Sequence, residues 1–284
     1  MSAHWRRARS LPLVLLVALV LVVAVVAIVR SAIRNAPPAP AAAKTVVSLT
    51  FDDGQASQYS TLSMLSAHRM VGTYYINSAM VGSSGYYMTW SQVHDLASAG
   101  NEIGGHTLHH ANLTKVDAAT AKREVCDDRT NLITNGFTPV TSFAYPEDAS
   151  DPTVERIIRD CGYTTGRAGG NVACAQCPPA ESIPPPDPLA LRTPPAVTTG
   201  TTLVDLQNDV SRAETHGGGW VILTFHGICD NDCTKVNSMS PATFTAFLDW
   251  LAPRAANGTV VRTVRETMCQ PPASRTAACA GQSS

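Results

Sequence analysis

The stretch VVSLTFDDG at residues 46–54 decides how this chain folds. Its β-branched and large apolar side chains predict a short buried strand, and Gly54 allows a sharp turn directly after that strand. In parallel α/β folds, functional side chains collect where the strands end. Two adjacent carboxylates repel each other there unless a cation or hydrogen-bond donors intervene. We therefore predict one metal-binding Asp beside one free base. The alternative is that Asp52 and Asp53 are only turn residues.

A second polar cluster follows a short apolar segment at residues 101–110, NEIGGHTLHH. His106 and His110 are four residues apart, so they share one face if the segment is helical or turn-like. Two neutral imidazoles and one carboxylate form the ligand set of an open catalytic zinc site. His109 is expected to be a bystander.

The motifs TFDDG at residues 50–54 and HTLHH at residues 106–110 resemble the first two motifs of the polysaccharide deacetylases, carbohydrate esterase family 4. The resemblance covers residues 44–268, which we take as the catalytic domain, with a peripheral tail at residues 269–284. It implies that Asp53, His106 and His110 bind a divalent metal. Zn²⁺ is expected, and Co²⁺, Ni²⁺ and Mn²⁺ are alternatives.

The same resemblance assigns the chemistry. Asp52 would be the general base that deprotonates the attacking water, and the target is the carbonyl of an N-acetyl group. His226, at the end of the predicted strand WVILTFH, resembles the acid that protonates the leaving amine; a buried core histidine is the alternative. Thr224 stands where a pocket leucine is usual, with Leu223 adjacent. The fourth motif of the family, with Asp and Trp, is not visible.

The third motif departs from the family pattern Arg-x-Pro-Tyr, because residues 143–148 read FAYPED. Ala144 replaces the arginine that would orient the base, and Arg167 is a candidate substitute. The resemblance implies that the backbone N–H of Glu147 stabilises the oxyanion, a role that tolerates side-chain change. Tyr145, in the same motif, is expected on the substrate side with Leu223.

Predicted strands and helices alternate from Lys44 onward, with Thr89, Asp117 and Asp151 as helix caps. About seven strands in this order suggest a parallel barrel, although periodicity alone would also fit an open sheet. The family resemblance implies a distorted, incomplete (β/α) barrel. The proline-rich stretch at residues 169–200 is expected to have no regular structure. It would be either an inert surface insertion or a wall that shapes the substrate site.

Residues 1–43 are expected to precede the folded domain. A basic segment at residues 1–10 leads into an apolar run at residues 11–29, and an Ala/Pro-rich linker follows at residues 30–43. The run has about the minimum length of a membrane-spanning helix. No Ala-x-Ala site follows it directly, so we expect an uncleaved signal anchor, with a cleaved signal peptide as the alternative. The catalytic domain would then lie outside the cell membrane, or be secreted.

The eight cysteines agree with an exported domain, because all follow the predicted anchor and disulfides persist outside the cytosol. Eight cysteines allow 105 connectivities, so the sequence leaves the pairing open. Local bridges within Cys174/Cys177, Cys229/Cys233 and Cys269/Cys279 are one arrangement, and it would leave Cys126 with Cys161. A zinc site on Cys174 and Cys177 is an alternative, although no second Cys-x-x-Cys accompanies it.

The formal net charge of −1 gives no electrostatic case for nucleic-acid binding. We expect a monomer that acts on an acetylated glycan. The leading hypothesis is metal-dependent de-N-acetylation of an amino-sugar polymer or oligomer. An O-acetyl esterase acting on acetylated xylan would use the same residues. A degenerate glycan-binding domain is the third hypothesis, and the presence of Asp52 beside a complete ligand trio argues against it.

Overall fold

A computed structural model of the protein describes residues 44–230, 233 and 237–269. The predicted anchor at residues 11–29 and most of the predicted tail lie outside these residues. Within the described part, every helix is too short or too polar to cross a bilayer.

The described residues form ten strands, of which eight make one curled parallel sheet and two make a small separate sheet. The eight are β1 (Thr45–Phe51), β2 (Gly72–Ile76), β3 (Glu102–Gly105), β4 (Ser142–Ala144), β5 (Thr165–Asn171), β6 (Leu191–Thr193), β7 (Gly219–Phe225) and β10 (Thr259–Val261); the two are β8 (Gly227–Ile228) and β9 (Ser238–Met239).

Strand β1 is the centre of the sheet because both of its edges are paired. It runs parallel to β7 along its whole length, from Thr45 opposite Gly219 to Phe51 opposite Phe225. Its other edge is shared, since β10 pairs with the first half of β1 and β2 with the second half. From β2 the order continues through β3, β4 and β5 to β6. Within the described part, β6 and β7 do not pair, so the sheet is an incomplete barrel, as the family resemblance implied.

Seven α-helices connect the strands in the described residues. They are α1 (Thr61–His68), α2 (Trp90–Ser98), α3 (Ala118–Thr134), α4 (Pro152–Asp160), α5 (Leu203–Thr215), α6 (Pro241–Leu251) and α7 (Val264–Met268). The predicted caps are confirmed: the Thr89 side chain accepts from the backbone N–H of Gln92, and the carboxylates of Asp117 and Asp151 each accept from two backbone N–H groups of their helices.

The side chains of β7 show how the barrel is layered. Val221, Leu223 and Phe225 belong to the large core between sheet and helices. Trp220 and Ile222, which alternate with them, belong to a smaller cluster inside the barrel. Because successive strand side chains point to opposite faces, the position after Ile222 on the inner face is that of Thr224.

The expectation for residues 169–200 is wrong in part. Strand β5 continues to Asn171 and so enters this stretch, and β6 lies inside it. The main sheet has eight strands, so the prediction of about seven parallel strands is confirmed. Strand β6 could not be predicted from the sequence, because the prolines on both sides of it indicate breaks in regular structure. Such breaks still leave room for a strand of three residues between them.

The segment around β6 covers the free edge of β7. The backbone groups of Glu181 and Trp220 exchange two hydrogen bonds of 2.9 and 2.7 Å, and the N–H of Val197 donates to the carbonyl of Thr224 at 2.9 Å. The Glu181 carboxylate is buried and accepts from the Arg192 guanidinium. These contacts make the stretch part of the barrel and not a loose surface insertion.

The structure decides three pairings that the sequence left open, and it has the disulfides Cys126–Cys161, Cys174–Cys177 and Cys229–Cys233. Cys269 is also disulfide-bonded, and its predicted partner Cys279 lies outside the described residues. With Cys174 and Cys177 joined to each other, the alternative of a zinc site on this pair is wrong.

Candidate metal centre

Three predicted ligands converge at the carboxyl ends of β1 and β3. One side-chain atom from each of Asp53, His106 and His110 lies within 4.8 Å of the others. Asp53 Oδ1 is 3.5 Å from His106 Nε2 and 3.4 Å from His110 Nε2. This oxygen is buried, yet it has no hydrogen-bond partner among the described residues. A buried acceptor that faces two ring nitrogens at these distances could hold a cation.

Several residues with left-handed backbone conformations orient the side chains of the proposed ligands. Asp53 has φ +75° and Gly54 has φ +68°, so the chain turns at Asp53 itself and separates its side chain from that of Asp52. Thr107 and His110 also have positive φ, of +67° and +61°. The two histidines therefore share a site through an irregular turn and not through a helix. Strain of this kind is concentrated at functional sites.

His106 is held from two sides. Its Nδ1 lies 2.8 Å from the carbonyl oxygen of Ala144, to which it donates, so that Nε2 keeps a lone pair directed toward Asp53. Its backbone N–H lies 3.2 Å from Oδ2 of Asp128, a fully buried residue that also accepts from the backbone of Ser78. These contacts fix the ring before any cation is present.

The electrostatics of the cluster favour a cation. Burial would raise the pKa of the Asp53 carboxyl, but the surrounding imidazoles, His106 foremost, hold that pKa well below its usual range. Burial would lower the pKa of His106, yet Asp53 and Asp52 raise it. The pKa of His110 is lowered by burial and then by His106. A metal cation would supply the charge that the imidazoles otherwise lend to Asp53, so the donor set fits a divalent metal.

Asp52 has surroundings unlike those of Asp53. Its Oδ2 forms an ion pair with Nη2 of Arg167, a side chain that is fully buried. The Nη1 group of Arg167 donates to Asp148 at 3.2 Å and to Thr224 Oγ1 at 3.1 Å. Oδ1 of Asp52 is buried and has no hydrogen-bond partner in the described part of the chain. Arg167 thus contacts Asp52 as expected of a substitute for the arginine missing at Ala144.

His226 faces the same carboxylate. Its Nε2 lies 3.9 Å from Asp52 Oδ2. Its Nδ1 is buried and has no hydrogen-bond partner among residues 44–230, 233 and 237–269. The backbone carbonyl of His226 accepts from the side-chain amide of Gln58, which also donates to the backbone carbonyl of Asp52. Gln58 therefore ties the end of β7 to the end of β1.

Two predicted substrate-side residues point away from the cluster. The Tyr145 hydroxyl donates to the carbonyl of Leu189 at 2.8 Å, and the residue is fully buried. Leu223 packs in the core between sheet and helices, because it lies on the outer face of β7. Glu147 remains near the site, since Asp148 beside it contacts Arg167. It has φ +58°, and its exposed side chain accepts from Asn112.

Sequence reasoning missed Gln55, Gln58, Asp128 and Asp148. The two glutamines carry no signal beyond their closeness to the DDG motif. Asp128 did carry one, because it lies on the buried face of α3 in line with Ala121, Val125 and Leu132. A carboxylate at a core position of an amphipathic helix needs buried donors, and here these are backbone N–H groups next to the site.

Comparison with known proteins agrees with this geometry. Residues 39–166 match the family model described as polysaccharide deacetylase. An uncharacterised protein of Streptomyces coelicolor is 26% identical over 119 residues, which are 42% of this chain and 46% of that protein. A probable peptidoglycan-N-acetylglucosamine deacetylase of Arthroderma benhamiae is 31% identical over 123 residues, which are 42% of this chain and 28% of that protein. The chain thus spans less than half the length of both curated relatives.

Solved structures with this fold include the Xyl-CE4 domain of a multidomain xylanase from the hindgut metagenome of Trinervitermes trinervoides. Its TM-score to this chain is 0.53 and its sequence identity is 18%. The match covers 79% of this chain and 90% of that chain. A family 4 acetyl xylan esterase from Clostridium thermocellum has a TM-score of 0.52 and 17% identity, with the same coverages. The family model spans both metal-ligand motifs, and these structures share the fold around them. Residues 39–166 therefore resemble the polysaccharide deacetylase family, and the chain shares the fold of these carbohydrate esterase family 4 structures.

Proposed function

We propose that this domain is a metal-dependent hydrolase that removes N-acetyl groups from an amino-sugar polysaccharide or oligosaccharide at the cell envelope. One observation carries the proposal: a buried carboxylate oxygen of Asp52 without a partner among the described residues lies next to the Asp53, His106 and His110 trio. A degenerate binding domain has no need for this base. The name of the Arthroderma benhamiae relative, a probable peptidoglycan-N-acetylglucosamine deacetylase, supports an amino-sugar substrate.

The chain's own residues would divide the reaction as follows. A divalent metal held by the trio would lower the pKa of the attacking water and polarise the acetyl carbonyl. Asp52 accepts the water proton on Oδ1, and Arg167 keeps Oδ2 occupied so that the base has one orientation. The new C–O bond gives a tetrahedral oxyanion, toward which the backbone N–H of Glu147 would point.

His226 completes the step as the general acid. The C–N bond breaks, the amine nitrogen takes a proton from the His226 imidazole, and acetate is released. The position of His226 supports this assignment, because its Nε2 lies 3.9 Å from Asp52 Oδ2, so acid and base reach the same site. When acetate leaves, the proton that Asp52 gained is returned to solvent, and His226 takes up a proton from solvent, which restores both groups for the next turnover.

O-acetyl ester hydrolysis is the second candidate. The same base, acid and ligand trio serve an ester as well as an amide, and a solved structure of the same fold is an acetyl xylan esterase. The test is acetate release from chitin oligomers, peptidoglycan and acetylated xylan, with added zinc and with a chelator. Chelator-sensitive release from the amino-sugar substrates supports the proposal. Release from xylan alone would favour the esterase, and no release from any substrate would contradict both.

We further propose that residues 11–29 anchor the domain on the outer side of the cell membrane, from the length of this apolar run and the basic residues before it. The full-length protein should stay with membranes after a carbonate wash. A mature N-terminus near Ala41 or Lys44 would instead mean that the segment is a cleaved signal peptide.

A further inference from the structure

Gln55 contacts the second oxygen of the Asp53 carboxylate. It follows Gly54 directly, is only 2% exposed, and its side-chain Nε2 donates to Asp53 Oδ2 at 3.0 Å. Its own Oε1 is buried and has no hydrogen-bond partner among the described residues. Gln55 therefore gives one hydrogen bond from its side-chain amide, and that bond goes to a proposed metal ligand.

Because of this contact, the two carboxylate oxygens of Asp53 have different partners. Oδ2 is held by the Gln55 amide, and Oδ1 faces the ring nitrogens of His106 and His110 at 3.5 and 3.4 Å. A carboxylate with one oxygen engaged by a donor presents the other oxygen alone to a cation.

The backbone around Gln55 is fixed by the loop that follows β2. Gln55 and Tyr87 form an antiparallel bridge. On either side of this bridge, the N–H of Ala56 donates to the carbonyl of Tyr86 at 2.8 Å, and the N–H of Met88 donates to the carbonyl of Gly54 at 2.9 Å. A side chain on so constrained a backbone can hold its neighbour in one orientation.

We propose that Gln55 is a positioning residue that restricts Asp53 to one-oxygen ligation and thereby selects a small divalent ion with few ligands, of the Zn²⁺ or Co²⁺ type. Larger ions that favour many oxygen ligands, such as Ca²⁺, commonly take both oxygens of a carboxylate, whereas zinc sites are satisfied by about four donors. This inference rests on the proposed metal-dependent function and adds a determinant of metal choice.

The test measures metal binding, not turnover. Zn²⁺ and Ca²⁺ are titrated by calorimetry into the full chain carrying Gln55→Met, which keeps an unbranched side chain of similar size without the amide. We expect zinc affinity to fall by roughly 10–100-fold, the usual effect of losing an outer partner of a ligand. We expect the preference for zinc over calcium to narrow. In Co²⁺-loaded protein, the visible absorption should change toward a higher coordination number.

Gln58→Met is the matched control. Gln58 is buried in the same segment, but its amide donates to backbone carbonyls of Asp52 and His226 and not to Asp53. It should keep zinc affinity and the Co²⁺ spectrum even if it lowers the unfolding temperature. Unchanged zinc affinity in Gln55→Met would overturn the inference, and so would an equal loss in both variants, because that would assign the effect to general loosening of the segment. Failure of the wild-type chain to bind zinc would contradict the proposed function itself.

Discussion

At the scale of single residues, Asp52 and Asp53 are neighbours with separate environments. Asp53 turns into a left-handed backbone position and faces two imidazoles, whereas Asp52 stays in line with β1 and meets the guanidinium of Arg167. The two carboxylates therefore have different partners, and one can bind a cation while the other acts as a base. The left-handed backbone conformation of Asp53 is the structural reason why the two adjacent carboxylates can have the different roles that the motif predicts.

We expect turnover to need the forked shape of the Arg167 guanidinium and not only its positive charge. In Arg167→Lys the charge stays, but a single ammonium cannot replace the fork that contacts both Asp52 and Asp148. We expect kcat to fall by up to about 100-fold, the lower end of what a well-placed base contributes, with zinc content unchanged. Steady-state kinetics and metal analysis measure both.

Arg192→Lys provides the control for that variant. Arg192, within β6, also makes a forked ion pair with a buried carboxylate, but its partner is Glu181 and not a member of the catalytic cluster. It should lower the unfolding temperature and leave kcat near the wild-type value. Equal losses of kcat in both variants would show that Arg167 acts only through stability.

We expect His106→Ala and His109→Ala to differ in the amount of zinc that they bind. His106→Ala removes a ligand whose ring is fixed by Ala144, so we expect loss of bound zinc and of activity. His109→Ala should spare both, because that side chain is 58% exposed and pairs with Glu124 at 2.9 Å. Metal analysis of purified variants decides; full zinc occupancy in His106→Ala would remove it from the site.

At the scale of elements, β3 shows why a site strand contains two glycines. A Cβ on Gly105 would lie 1.9 Å from the hydroxyl oxygen of Tyr163 and 2.8 Å from Asp128, directly before the ligand His106. The backbone of Gly105 is not left-handed, so the requirement is for space. The strand can pass close to α3 and to Tyr163, which precedes β5, only without a side chain at this point.

Gly105→Ala should therefore destabilise the fold by about 1–3 kcal/mol, the usual cost of overpacking, and reduce zinc binding by displacing His106. Thermal unfolding and zinc titration are the measurements. Adding Tyr163→Leu, which removes the nearest obstructing atoms, should recover part of both losses. If Gly105→Ala alone kept the wild-type unfolding temperature and zinc affinity, the contact between position 105 and Tyr163 would not be tight.

The elements also show where sequence reasoning stops. Periodicity and caps were enough for the long helices and for β1, β2 and β7, because these have strong local patterns. Strand β6 could not be predicted, since its three residues gain their structure from pairing with β5 and from flanks bonded to β7. In the site, motif residues were predictable from their spacing, and Arg167 only as a candidate. Gln55 and Gln58 act through contacts that no spacing encodes.

At the scale of the molecule, the disulfides should contribute unequally. Cys126–Cys161 joins α3 to the end of α4 across 35 residues, whereas Cys174–Cys177 spans 3. The loop-entropy relation gives about 4 kcal/mol for the first and about 2 kcal/mol for the second. Paired Cys→Ala variants, compared by urea unfolding, should show this order. A larger loss from removing Cys174–Cys177 would contradict it and would mean that the stretch around β6 depends on its local bridge.

The proposed reaction depends most on the distinct roles of Asp52 and Asp53. Kinetics with metal analysis on Asp52→Asn and Asp53→Asn test these roles. Asparagine keeps the shape of each side chain, so Asp52→Asn should lose about 10²- to 10⁴-fold in kcat, the contribution of a general base, while its zinc content stays at the wild-type level. Asp53→Asn should lose zinc together with activity. Near-wild-type turnover in Asp52→Asn would make Asp52 a turn residue, and loss of zinc in Asp52→Asn with retention in Asp53→Asn would contradict the assignment of base and ligand.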